Sequence, residues 1–359
     1  MQALRIHAGP RARAQLRERG LAPADVRVVP AAAGGAKGLV LNSLDRFLFG
    51  HWLRGSDHVV HLAGASIGAW RMACATLPDA DAALAQLAED YITQSYPHEP
   101  GRMPTARTVS RLFAEKLDQR LAARAGEILA SPRYRLHVFT SRGRHVLRRP
   151  GRLRTPAGYL GAFVSNLVSR RALGGWLERV VFSDPRDALP VPLEDLASRT
   201  CALTAANLAP AVLASCSIPF VLEAVQDPPG APRGAYWDGG ITDYHLHLDY
   251  AAMREGLVLY PHFAAQVVPG WLDKALKHRH RATAALDNLV VLSPAPEWVA
   301  KLPGGKLPDR SDFKRYGDDE AGRMAVWRGA LAESQRLADE FAELLAAAGQ
   351  GGPIEALPL

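Results

Sequence analysis

Gly64-Ala65-Ser66-Ile67-Gly68 follows directly on the apolar run Val59-Val60-His61-Leu62-Ala63. This pentapeptide constrains the chain more than any other feature. A Gly-x-Ser-x-Gly between a strand and a helix reads as a nucleophile elbow, a turn so tight that side chains flanking the serine would collide. The strained turn stands the Ser66 hydroxyl above the sheet edge, and the amides of the following helix start point toward negative charge forming there. Ile67-Gly68-Ala69-Trp70-Arg71-Met72-Ala73-Cys74 is a good apolar helix start. Taken alone, the motif fits equally a turn that needs glycine for packing only.

Strand-like and helix-like runs alternate along the 359 residues, which favours an α/β fold. Val26 to Pro30 reads as a strand, Pro30 to Gly35 as a loop, and Lys37 to Phe49 as a helix through Leu41, Leu44 and Leu48. Residues 79–130 read as helical, broken at Pro97, Pro100 and Pro104, and Glu320 to Ala348 as one long amphipathic helix. With no linker visible, one large domain is expected. It comprises a helical lead-in over 1–25, a catalytic region over 26–300, and a helical extension over 301–359 packed on the same domain.

Formal net charge is +7. That favours anionic partners, a peripheral contact with an anionic membrane among them, although a basic solvated surface explains it equally. No nucleic-acid reading motif accompanies the charge. Residues 142–171 join eight arginines to the stripe Leu160, Phe163, Val164, Leu167 and Val168. Such a segment suits a bilayer surface, but a stripe at helical spacing more often packs into a core, and the core placement is the expectation here. Cys74, Cys201 and Cys216 show no metal spacing and read as buried free thiols in a reducing compartment. Met1 to Ala24 has no apolar core typical of a secretory signal and no apolar run reaches 18 residues, so a cytoplasmic location is expected.

Two further segments lie at junctions where chemistry is done. Ala33-Gly34-Gly35-Ala36-Lys37-Gly38 joins a strand to a helix, and its consecutive amides suit an oxyanion. Neither the P-loop nor the dinucleotide-loop pattern fits it. Asp238-Gly239-Gly240 follows Ala235-Tyr236-Trp237, and an ionised aspartate within reach of Ser66 can take its proton. Alone, the first is equally a helix N-terminus that needs small residues, and the second an ordinary turn with aspartate at its first position.

Together these blocks resemble the patatin-like phospholipases. The loop Gly34-Gly35-Ala36-Lys37-Gly38, the elbow around Ser66, the block Ala214-Ser215-Cys216-Ser217-Ile218-Pro219-Phe220 and Asp238-Gly239-Gly240 occur in that family's order. The resemblance spans roughly residues 26–245. It departs modestly, with Ala33 and Ala36 where the family uses glycine in part. It implies a three-layer α/β/α fold with a central, mostly parallel sheet, and a lipid acyl hydrolase with a Ser66–Asp238 dyad. Amides of Gly34, Gly35 and Ala36 would form the oxyanion hole, Gly64 and Gly68 the elbow, and Lys37, Gly38, Gly239 and Gly240 would support the motifs. No metal or other cofactor is implied.

Other readings stay open. An inactive lipid-binding or scaffold protein of the same fold would keep these motifs. A Ser-His-Asp esterase would recruit His280, although its fold usually places the nucleophile after several strands. His245 and His247 would share one side of an extended segment, but no third metal ligand lies nearby. The identity of the lipid and the oligomeric state are not legible.

Overall fold

The protein is described from a computed structural model covering residues 2–98, 102, 104–347 and 354–358. Met1, Pro100 and Ala348, named above, lie outside the described residues. The chain opens with β1 (Leu4–Ala8), α1 (Pro10–Arg19) and β2 (Val26–Ala31). A 3-10 turn over Gly35–Leu41 leads into α2 (Asn42–Gly50), and β3 (Val60–Ala65) leads into α3 (Ile67–Ala75). α4 (Ala80–Ile92), α5 (Ala106–Arg120) and α6 (Ala125–Leu129) return the chain to β4 (Tyr134–Gly143). Then come α7 (Arg154–Val168), β5 (Leu177–Ser183), β6 (Ser198–Ala202), α8 (Leu208–Cys216), β7 (Val225–Gln226), β8 (Ala235–Trp237) and α9 (Gly240–Asp243). The remainder is β9 (Leu257–Pro261), β10 (Leu289–Pro294), α10 (Pro296–Val299), α11 (Ser311–Tyr316), α12 (Glu320–Glu333), α13 (Gln335–Ala346) and β11 (Ile354–Ala356).

These strands form one sheet, ordered β11-β1-β10-β9-β2-β3-β4-β5-β6, with β8 paired to β4 and β7 paired to β8. Its centre, β10-β9-β2-β3-β4, is parallel throughout, whereas β1 runs antiparallel to β10 and β5 to β4. Every residue of β3, β9 and β10 is buried, as a parallel sheet covered on both faces requires. The chain leaves β2 toward β3 and β4 on one side and places β9 and β10 on the other. That reversal opens a crevice at the C-terminal strand ends, where ligands of open α/β sheets bind.

Several expectations need correction. The lead-in over 1–25 is not wholly helical, because Leu4–Ala8 is a strand paired to β10 and β11. The helix after the glycine loop begins as a 3-10 turn. The long C-terminal helix divides at Ser334, whose hydroxyl donates to Leu331 O at 2.6 Å and contacts Ser43 Oγ at 2.9 Å.

The largest correction concerns α7. Its buried face is Thr155, Gly158, Tyr159, Ala162 and Asn166, while Leu160, Val164, Leu167 and Val168 stand exposed and Phe163 is half-buried. Periodicity reveals an apolar face but not which way it points. Here close packing decides. Gly158 comes so near Leu147 that a Cβ there would lie 2.5 Å from its Cδ2, and Asn166 donates to Asp273 at 2.8 Å.

Candidate active site

The C-terminal ends of β2 and β3 stand side by side, with Ala31 opposite Gly64. Past them come the glycine loop and Ser66. Ser66 has φ 55° and ψ −130°, a left-handed conformation that costs a non-glycine residue energy. The chain can turn there because of its two glycines. A Cβ on Gly68 would lie 2.0 Å from Ala31 O in β2, and one on Gly64 would lie 2.5 Å from Ala69 Cα.

The Ser66 hydroxyl donates to Asp238 Oδ2 at 2.7 Å, although 172 residues separate them. Both are nearly out of water, with 3% and 6% of their surface exposed. The other carboxylate oxygen of Asp238, Oδ1, accepts the Gly240 amide at 2.7 Å. Burial raises the Asp238 pKa above the usual carboxylate range. The Arg310 charge is foremost among the opposing effects, followed by the Ser66 hydroxyl and the Gly240 amide.

Ser215, at the end of α8, ties the two halves together. Its hydroxyl accepts the Ser66 amide at 2.8 Å and donates to Phe139 O at 2.6 Å, while its carbonyl accepts the Gly239 amide at 3.0 Å. Gly38 lies against Ile67 and Arg71 of α3.

In the glycine loop, the Ala33 amide is already committed to Tyr244 O at 2.9 Å. Gly34 and Gly35 follow, Gly35 with φ +57°. Gly35 and Ala36 open a 3-10 turn, and the first amides of such a turn have no acceptor within it. Gly35 and Ser66 share the wall of a cleft of about 450 Å³, whose other walls include Val109, Phe113, Ile218 and Leu222. The arrangement combines a buried hydroxyl on a carboxylate, amides with no acceptor inside their own 3-10 turn and an apolar cleft.

Arg310 has no motif to announce it. It lines the cleft, and its Nε lies 3.2 Å from where a Cβ on Gly35 would stand. Lys274 also bears on the site. Its Nζ lies 4.2 Å from the Tyr244 ring centroid, and burial, reinforced by Lys37 and Arg310, pushes its pKa down to about 8. Lys37 is directed over the Phe263 ring at 5.2 Å, and burial lowers its pKa.

Among the described residues, no histidine is hydrogen-bonded to Ser66 or Asp238. His280 Nε2 is 2.9 Å from Asp273 O. His245 Nδ1 accepts the Val268 amide at 3.0 Å, and His247 Nε2 lies 3.3 Å from Thr283 Oγ1, so the two histidines have separate partners. Among the described residues, no helix is long and apolar enough to cross a membrane.

Comparison with known proteins bears on this geometry. No curated protein matches the chain. One solved structure it resembles is VipD from Legionella pneumophila, at 13% identity and a TM-score of 0.36, over 94% of this chain and 70% of that one. The patatin-like phospholipase family model matches residues 32–246, which is more than half of the chain and contains the glycine loop, the Ser66 turn and Asp238-Gly239-Gly240. The chain belongs to the patatin-like phospholipase family.

Proposed function

We propose that the protein is a serine lipid acyl hydrolase working through a Ser66–Asp238 dyad. Ser66 Oγ attacks the ester carbonyl carbon as its proton passes to Asp238 Oδ2. The carbonyl π electrons move onto oxygen, and the amides of Gly34, Gly35 and Ala36 stabilise the resulting oxyanion. On collapse, the bond from carbon to the alkoxy oxygen breaks and Asp238 returns the proton to that oxygen. Water then repeats the sequence on the acyl-serine, releasing the carboxylic acid and restoring Ser66. The apolar cleft walls suit a fatty acyl chain.

One observation carries the reading: a buried serine hydroxyl donating to a buried carboxylate at 2.7 Å, at the turn into a helix. A carboxylate whose pKa burial has raised is a better proton acceptor than a solvated one.

The test is a panel of phospholipids, lysophospholipids and acylglycerols offered to the wild type, Ser66→Ala and Asp238→Asn. Hydrolysis of one class by the wild type is expected, with a loss of about 10³-fold or more in each variant. A fluorophosphonate probe should label Ser66. Unlabelled wild-type protein without ester hydrolysis would favour a binding protein on the same fold, and wild-type rates in both variants would remove the dyad.

A further inference from the structure

α7 is apolar on two faces. One packs into a satellite core through Tyr159 and Ala162, and the other is bare. Leu153, just before the helix, and Val168, at its end, are 85% and 83% exposed, with Leu160, Val164 and Leu167 exposed between them. Val164 follows Leu160 by four residues and Leu167 follows Val164 by three, while Leu153 lies seven before Leu160 and Val168 four after Val164, the spacing of one helical stripe.

The bare stripe has company. Among the described residues, the large apolar side chains that stand exposed lie in only three segments: 146–168, Phe220-Val221, and Trp271. Direct contacts join the segments. The Phe220 ring meets the Tyr159 ring edge-on at 6.2 Å, and Asn166 of α7 donates to Asp273, two residues beyond Trp271. Phe220 is 67% exposed and held at φ 71°, an unfavourable conformation for an aromatic residue presented to water. Phe220 thus touches α7 directly, and the buried Asn166–Asp273 bond holds the Trp271 segment next to that helix; exposed apolar side chains gathered in this way mark an interaction site.

Charge identifies the occupant. From Ser141 to Leu177 the sequence has eight arginines and no aspartate or glutamate. Arg148, Arg149, Arg152, Arg154 and Arg171 are exposed and, among the described residues, none meets a carboxylate. A row of apolar side chains flanked by uncommitted guanidinium groups matches the acyl boundary and headgroup layer of an anionic bilayer, with the exposed Trp271 at the interfacial level. The surface also runs to the cleft. Val221 belongs to both, and Tyr159 packs edge-on against Trp237, the residue before Asp238.

We infer that α7, Phe220-Val221 and Trp271 form a docking surface for anionic lipid bilayers, which brings the mouth of the Ser66 cleft to the membrane. Delivery of substrate to Ser66 rests on the acyl hydrolase reading, whereas the docking does not.

The two are tested separately. Binding is measured with the full chain carrying Ser66→Ala, using sedimentation with vesicles of phosphatidylcholine alone or with about one-fifth phosphatidylserine. Binding to the anionic vesicles is expected, weakening as salt rises. Leu160→Glu/Val164→Glu and Arg149→Glu/Arg152→Glu should each lower the partition coefficient about tenfold or more. All four positions are exposed, so the fold does not depend on them. With Ser66 intact, Leu160→Glu/Val164→Glu should hydrolyse a soluble short-chain ester at the wild-type rate but vesicle lipid at least about tenfold more slowly. Equal partition of wild type and both double variants overturns the proposal, as does a wild type that binds no vesicle. A concentration-dependent dimer that Leu160→Glu/Val164→Glu abolishes, without vesicle binding, would replace the bilayer by a second copy of the chain. Failure to hydrolyse any ester, with vesicle binding retained, would remove the acyl hydrolase reading and leave the docking surface standing.

Discussion

Arg71 and Asp45 form a two-pronged ion pair in the interior, with Nε to Oδ2 at 2.7 Å and Nη2 to Oδ1 at 2.8 Å. Arg71 lies on α3, behind Ser66, and Asp45 on α2, behind the glycine loop. The pair therefore joins the helix that follows the serine to the helix that follows the candidate oxyanion amides. Arg179 and Asp243 do the same behind Asp238, where Nε reaches Oδ2 at 2.8 Å and α9 is held against β5. Burial raises the Asp45 pKa, and Arg71 is the main effect opposing it. Removing the arginine strands a buried carboxylate, so Arg71→Ala should cost about 3–5 kcal/mol of stability. Arg71→Met/Asp45→Leu, which removes both charges, should recover much of that loss. Urea unfolding of the three proteins checks this, and equal midpoints for the single and double variants would count against it.

Ser215 offers a sharper separation of structure from chemistry. Its hydroxyl accepts the Ser66 amide, so Ser215→Ala leaves a buried N–H without its acceptor, at about 1–3 kcal/mol. No substrate atom is expected to touch Ser215, so its effect on turnover would come through the angle at which Ser66 meets Asp238. The expected signature is a fall in kcat of about tenfold or more with KM nearly unchanged, and Ser215→Thr restoring part of it. A rise in KM with kcat intact would assign the residue to the cleft instead.

The parts of this molecule legible in its sequence are local. β2, β3 and the turns after them are written in short runs, because an apolar strand, a glycine turn and a helix start need only neighbouring residues. Alternating elements suffice for the α/β class, and the mostly parallel sheet with flanking helices follows. What meets across the fold is less accessible. β1 is too short and too close to a basic helix to stand out, and it becomes a strand only because β10 offers an edge. The spacing in α7 is helical either way, and contacts across the fold orient it, among them the close packing of Gly158 on Leu147 and the bond from Asn166 to Asp273. Arg310 stands in a segment without periodicity or motif, so its approach to Gly35 exists only in three dimensions.

His61 and His137 make a buried pair across β3 and β4, with Nδ1 to Nε2 at 3.0 Å. Burial first, and for His137 the neighbouring His61 next, push their pKa values down to about 4 and about 3. Both are neutral in the folded protein at pH 5, where the unfolded chain binds protons on both, near the ordinary value of about 6.5. The unfolded state thus holds more protons, and stability rises with pH in this range. Their contribution is full above about 6.5, falls as the solution is acidified, and is spent near the folded values. Urea unfolding between pH 7 and pH 4.5 should show a steep acid loss in the wild type. His137→Asn removes one of the two titrations, so it should lower the slope whatever its effect at pH 7. An unchanged slope would mean that His137 binds its proton in the folded protein as readily as in the unfolded chain.

Arg310 gives the last prediction, and it concerns the base rather than the nucleophile. Burial raises the Asp238 pKa, and Arg310 leads the effects that lower it. A carboxylate base works only when ionised, so activity should fall as pH drops through its folded-state value. The acid limb of kcat/KM for a soluble ester reports that ionisation in the free enzyme. Without the guanidinium, Asp238 holds its proton more tightly, so Arg310→Gln should move the acid limb to higher pH, whereas Arg310→Lys should restore much of the wild-type profile. Raising the salt should narrow the difference between wild type and Arg310→Gln, because Arg310 is partly in solvent. A limb at the same pH in all three proteins would confine Arg310 to lining the cleft. A shifted limb would make a residue beyond the matched span of 32–246 part of how the dyad is tuned. The segment before α11 would then act on Asp238 through the Arg310 charge.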